Sequence, residues 1–144
     1  MPGPTIHLFS FGYKYDGPPR DDSGHGGGFV FDCRALPNPF WDEALRPFSG
    51  TDPIIVRFFE GQPEVSEFLA HSAALVRYTA ATYSRLGREH LMAAFGCTGG
   101  RHRSVYLADR LRSDLEKEGY RVELTHRDMH RGERDLTPSR GTRP

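Results

Sequence analysis

The sequence predicts an α/β fold, a single domain in which helices flank a small mixed or parallel sheet. Three observations carry that expectation. Apolar and polar side chains alternate in TIHLFSFGY (5–13) and YRVELTH (120–126), the two-residue period of a strand. Between Pro63 and Leu86 apolar residues recur instead at helical spacing. A third block runs from the apolar HLMAAFG (90–96) through a glycine-containing loop into another helical pattern. It makes a strand-loop-helix at residues 90–118 suited to phosphate.

In chain order, the strand at 5–13 leads into Lys14 to Gly28, crowded with Gly, Pro and Asp, which predicts a flexible loop. GFVFDC (28–33) reads as a short buried strand. Pro37, Pro39, Pro47 and Pro53 forbid long regular structure over residues 34–53, so an ordered irregular loop is expected there. A short helical turn follows over Ile54 to Glu60. Pro63 has the fixed φ that suits the first residue of a helix. From it Val65, Phe68, Leu69, Ser72, Val76, Thr79, Tyr83 and Leu86 carry the helical period. Tyr78 and Tyr83 are candidates for a homo-oligomeric interface, against core or ordinary surface.

After the strand at 90–96, Ser104 to Glu118 predicts a helix with Ala108, Leu111 and Leu115 on one face and Gly119 as its stop. The strand at 120–126 closes the sheet. From Met129 the sequence HRGERDLTPSRGTRP has no apolar period, as expected of a disordered tail. The order β-β-α-α-β-α-β makes residues 90–126 a right-handed crossover between parallel strands. The loop 97–103 then falls at the carboxyl end of a strand and at the N-terminus of a helix, where open α/β sheets bind ligands.

Length and composition agree with one soluble globular domain: 144 residues, 37% hydrophobic and 26% charged. No apolar run approaches the roughly 20 residues of a membrane span, and no basic, apolar leader opens the chain. Cys33 and Cys97 make no disulfide framework, so a reducing cytoplasm is the expected setting. Nineteen basic and nineteen acidic residues cancel. Their distribution is uneven, with 5 Lys+Arg against 10 Asp+Glu in residues 1–76 and 14 against 9 beyond, a surplus of five that is mostly Arg. Arginine suits two-pronged phosphate binding better than lysine does.

The chemistry concentrates in FGCTGGRHRS (95–104). Backbone N–H groups at a helix N-terminus are unpaired and favour anions. Gly99 and Gly100 let the backbone curl around a tetrahedral ligand, and Arg103 can fork onto two oxygens. Thr98, His102 and Ser104 add donors. Taken singly, Gly-Gly also suits a plain tight turn and His102 a satisfied core histidine. Cys97 and Arg103 further match Cys-x5-Arg-Ser, in which a thiolate attacks phosphorus while the loop holds the ester. That reading makes Cys97 a nucleophile, but it lacks a general acid: no Trp-Pro-Asp stretch occurs, and Asp42 beside Trp41 is its nearest imitation. No metal or cofactor is expected under either reading.

Six blocks appear in one order: SFGYKY (10–15), VFDCRALPNPFW (30–41), LRPFSGTD (45–52), EVSEFL (64–69), GCTGGRHRSVYLADRL (96–111) and THRDM (125–129). Together they resemble the C-terminal domain of the RapZ family, the RNase adapter proteins also grouped as P-loop nucleotide-binding proteins. The resemblance implies a RapZ C-terminal-like domain over residues 1–128, followed by a basic tail at 129–144. It implies a stand-alone version of the second of two domains, since no Walker A sequence GxxxxGK[ST] occurs. It also implies that Cys97, Thr98, Gly99, Gly100, His102, Arg103 and Ser104 bind a phosphorylated amino sugar, glucosamine-6-phosphate. Cys97 is then part of a pocket and not a nucleophile.

Lys14, Arg34 and Arg46 lie on resembling segments and are expected to approach the same pocket. Small-RNA binding and presentation to an endoribonuclease are further implications, with Arg121, Arg127, Arg131 and Arg134 as the RNA-facing residues. Three departures stand out. Phe40 takes the place where some members carry His, Asp21 to Gly28 is longer and richer in Gly, and Glu133 and Asp135 interrupt the closing basic run. Asp128, Glu133 and Asp135 are expected to repel the phosphates that the tail arginines would attract.

Overall fold

Four strands and three α-helices follow one another in the predicted order: β1 (Thr5–Gly12), β2 (Gly28–Asp32), α1 (Pro53–Glu60), α2 (Pro63–Leu86), β3 (His90–Cys97), α3 (Arg103–Lys117) and β4 (Arg121–His126). This is a computed structural model, and it describes residues 3–22, 24 and 27–132. The sheet runs β2-β3-β1-β4, and every neighbouring pair is parallel.

Alternation along the strands divides the sheet into two faces. Ile6 and Leu8 of β1 and Leu91, Ala93 and Phe95 of β3 join one core with Val65, Val76 and Ala80 of α2 and Leu107, Leu111 and Leu115 of α3. All of these helix and strand residues are essentially inaccessible, and burial of the Val, Ile, Leu and Phe side chains among them is worth about 1.5–3 kcal/mol each. Helices α2 and α3 also touch each other, so they share that face. On the reverse face His7, Phe9 and Met92 lie beneath Arg20, Asp21 and Asp22 of the β1–β2 connection, around a cavity of about 280 Å³.

The direction of the connections explains this asymmetry. From β1 the chain passes across β3 to β2; from β2 to β3 and from β3 to β4 it returns the other way. Right-handed crossovers put oppositely directed connections on opposite faces. Neighbouring strands β1 and β3 therefore send their exits to different faces, which opens a crevice at their carboxyl ends.

The helix limits follow the sequence closely. Helix α2 starts at Pro63, and Gly87, at φ 72°, ends it by donating to the Ser84 and Tyr83 carbonyls. The turn expected at 54–60 is an eight-residue helix opened by Pro53 behind Asp52. One expectation is corrected. β2 is an edge strand and not a buried one, with half-exposed alternation and Val30 46% exposed, because β1 crosses beyond β3 to reach it. Leu86, on the predicted apolar period, is exposed, and Tyr83 is core while Tyr78 is exposed. No helix among the described residues is long and apolar enough to cross a membrane.

Candidate functional site

The carboxyl ends of β1 and β3 meet through glycine. Gly12 pairs with Cys97, and the β1 chain continues along the loop: Tyr13 N–H donates to the Cys97 carbonyl at 2.9 Å and Lys14 N–H to that of Thr98 at 3.2 Å. A Cβ on Gly12 would sit 2.7 Å from the carbonyl carbon of Gly99. A Cβ on Gly100 would sit 2.5 Å from the Gly12 nitrogen, and its φ of 68° is itself left-handed. Both positions need glycine because two backbones touch there. Gly99 faces open space, and Thr98, Gly99 and Arg101 are partly exposed.

Helix α3 begins immediately after this loop with Arg103. Its N-cap, His102, makes no side-chain capping bond, and its first turn holds no acidic residue. The positive end of the helix therefore has no carboxylate of its own. Arg103 is 3% exposed. Its Nη1 donates to the carbonyls of Arg34 at 2.8 Å and Leu36 at 3.2 Å, while its Nε is buried with no hydrogen-bond partner. A buried charged donor left unsatisfied costs about 1–3 kcal/mol or more, so this atom requires an explanation.

The remaining expected residues fall around this centre unevenly. Cys97 and Ser104 are buried, and the thiol donates to the Ser104 hydroxyl at 3.2 Å on the core side of the loop. Cys33 lies near Cys97, is likewise a free buried thiol, and has its pKa pushed up mainly by burial. His102 is buried with Nε2 2.6 Å from the Phe48 carbonyl. Burial depresses its pKa to about 4, so the ring is neutral at physiological pH and ties segment 46–48 to the helix start.

Arg34 is exposed, forks onto Asp32 and lies over the Tyr13 ring with its guanidinium carbon 3.8 Å from the centroid. Lys14 stands over Tyr15. The Arg46 side chain turns away to the Phe40 carbonyl and ring, so it is brought near the loop only through its own backbone segment.

Two contributors escape a reading of the sequence. Arg101 straps the loop outward, with Nη1 on the Met129 carbonyl at 3.0 Å and Nη2 on that of Pro47. Asp128, 1% exposed, accepts from the Gly12 N–H at 2.7 Å, from Arg127, and from Arg131 at 3.0 Å. Burial alone would raise its carboxyl pKa; bonds from Arg127, Gly12 and Arg131 outweigh that and hold it below the usual range. The expectation that Asp128 repels phosphates is therefore corrected: two guanidinium groups neutralise it inside the protein. THRDM places Asp128 in a resembling block, but no local pattern there signals its bond to Gly12.

The same bonds engage Arg127 and Arg131, and Arg131 also pairs with Asp16. Arg121 does not join them. It pairs with Thr5 at the amino end of the sheet, opposite the loop, and donates to the Gly3 carbonyl. Arg134, Glu133 and Asp135 lie outside the described residues, as does most of the predicted tail. Among the described residues no group of three or more His, Cys, Asp or Glu is placed to hold a metal ion.

The family model described as the RapZ C-terminal domain matches residues 4–130, nearly the whole described chain. The chain belongs to the RapZ C-terminal domain family. Similar proteins named nucleotide-binding proteins occur in Frankia alni, 47% identical over 124 residues, and in Geobacter metallireducens, 43% identical over 128. Another occurs in Moorella thermoacetica, 44% identical over 126 residues. These alignments cover 86%, 89% and 88% of this chain but 41%, 43% and 40% of those proteins. The RapZ C-terminal domain here thus spans about two-fifths of their length. The matched region contains the glycine contact, the Arg103 anchor and Asp128 together.

Proposed function

We propose that this domain binds a phosphorylated ligand, a phosphorylated amino sugar such as glucosamine-6-phosphate, at loop 98–102 and the start of α3. It acts as a sensor or adapter module and does not cut the ester. The observation that carries the reading is Arg103: a buried guanidinium with an unpartnered Nε at a helix N-terminus that has no acid in its first turn. An oxyanion there would accept from helix N–H groups and bring the charge that this end lacks. Thr98 and Gly99 form its open side, with Lys14 and Arg34 at the rim. Family membership and the relatives' names support a binding role.

The phosphatase alternative meets an obstacle in Cys97, whose side chain joins the hydrophobic core and whose thiol donates to the Ser104 hydroxyl. A nucleophile needs its sulfur within reach of phosphorus. A panel of phosphate esters, assayed with the full chain, should show no turnover above background. Turnover that disappears in Cys97→Ser would replace this reading with the enzymatic one.

RNA contact is a separate part of the proposal, carried by Arg127, Arg131 and the residues beyond 132. It is weak, because both arginines share Asp128. Affinity for RNA should fall steeply with salt and drop on removal of residues 133–144, while phosphosugar affinity stays. Unchanged RNA affinity after that truncation would remove the tail from the account.

A further inference from the structure

Three strand ends converge on one carboxylate. β4 finishes its ladder with the Arg127 N–H donating to the Ser10 carbonyl, one residue after the strand proper. In a parallel ladder the next β1 donor on that side is the Gly12 N–H, and its partner would be the carbonyl of residue 127. The chain turns away there, with Arg131 N–H closing onto the Asp128 carbonyl. Gly12 N–H is met instead by Asp128 Oδ2 at 2.7 Å. The side chain thus stands in for a missing strand carbonyl.

Gly12 is also the surface against which the loop after β3 rests, and the Gly100 Cβ position lies 3.0 Å from Asp128 Cβ. Arg101, the next loop residue, holds the Met129 carbonyl from the other side. The loop is therefore seated in a notch made by Gly12 and residues 128–129. Arg127 Nη2 at 2.8 Å and Arg131 Nη1 at 3.0 Å compensate the carboxylate, so it can remain charged and fully buried. A buried acceptor with every lone pair engaged rigidifies what it joins.

We propose that Asp128 is the positioning residue of the anion loop: by capping the Gly12 N–H it fixes the Gly12–Gly100 contact and with it the orientation of loop 98–102. This rests on the phosphate-binding reading for its consequence, but its geometric part does not. The carboxylate touches no ligand in this role. It acts through backbone, and its loss would loosen the donors without removing one.

The test uses the full chain with inorganic phosphate and glucosamine-6-phosphate as probes. Amide hydrogen exchange in the wild type should place Gly12 with the protected strand amides, and phosphate should slow exchange across 98–102. In Asp128→Ala, exchange at Gly12 and 98–102 should rise at least tenfold while the β3 and α3 core amides keep their protection. Probe affinity should fall about tenfold. Asp128→Asn, whose amide oxygen can still accept from Gly12, should restore Gly12 protection and most of the affinity; a merely structural loss of charge would not be rescued this way.

A Gly12 amide that exchanges like an exposed loop in the wild type would overturn the proposal even if the Ala variant does not fold. So would a folded Asp128→Ala chain with wild-type loop exchange. Absence of probe binding to the wild type, with Gly12 and loop exchange as expected, would instead refute the phosphate reading and leave the seating role standing.

Discussion

Helix α2 opens with Pro63 and Glu64, whereas α3 opens with His102 and Arg103. Neither N-cap makes a side-chain capping bond, so the two helices start from the same deficit of acceptors. In α2 the deficit is met locally: proline has no N–H to satisfy, and an acidic side chain sits in the first turn. In α3 the first turn is buried, carries a cation and includes no carboxylate. A helix that only had to fold would gain from an acid there. The difference sets a helix start satisfied from within against one that, under the proposed function, an external anion would complete.

Exchanging the two roles gives the largest effects. Arg103→Ala should cost about 2–5 kcal/mol of phosphosugar binding, because it removes a charge-assisted partner. It should also lower stability, since the Arg34 and Leu36 carbonyls lose their donor. Glu64→Gln at α2 should leave binding unchanged and cost under about 1 kcal/mol of stability. Calorimetric titration and urea unfolding of both variants check the pair. Equal binding losses would erase the distinction between the two helix starts.

Acid should act next most strongly, through the α3 N-cap. The folded His102 pKa of about 4 lies below the ordinary 6.5, so the unfolded chain binds the proton more readily. Stability from this residue is complete above pH 6.5 and is lost as pH falls toward 4. The full difference is about 3 kcal/mol by the relation between pKa shift and free energy. His102→Gln can keep a donor to the Phe48 carbonyl but cannot titrate. Urea unfolding between pH 7 and 4 should therefore show a shallower decline in the variant. Parallel declines would mean that His102 is protonated in the folded protein.

The sequence made the local parts of this architecture legible. Helix α2 runs from Pro63 to Leu86 as expected, because proline fixes φ at its start; Gly87, in a left-handed turn, then ends it. The strand-loop-helix at 90–118 was legible for the same reason, as a period change across a Gly-Gly turn. The edge position of β2 was not, since strand order depends on which way a connection crosses. Nor was the role of Asp128: its bond to Gly12 joins residues 116 apart, and no local pattern in THRDM signals it. Arg121 is the opposite case, close to Arg127 in sequence but at the far end of a strand.

The most direct measurement of the central claim is a backbone amide NMR titration of the full chain with glucosamine-6-phosphate, set against glucosamine lacking the phosphate. An anion seated at the start of α3 predicts saturable shifts concentrated in Gly12, residues 98–102 and the first turn of α3. The unphosphorylated sugar should produce none at the same concentrations. No saturable change with the phosphosugar, or the same changes with both sugars, would contradict it.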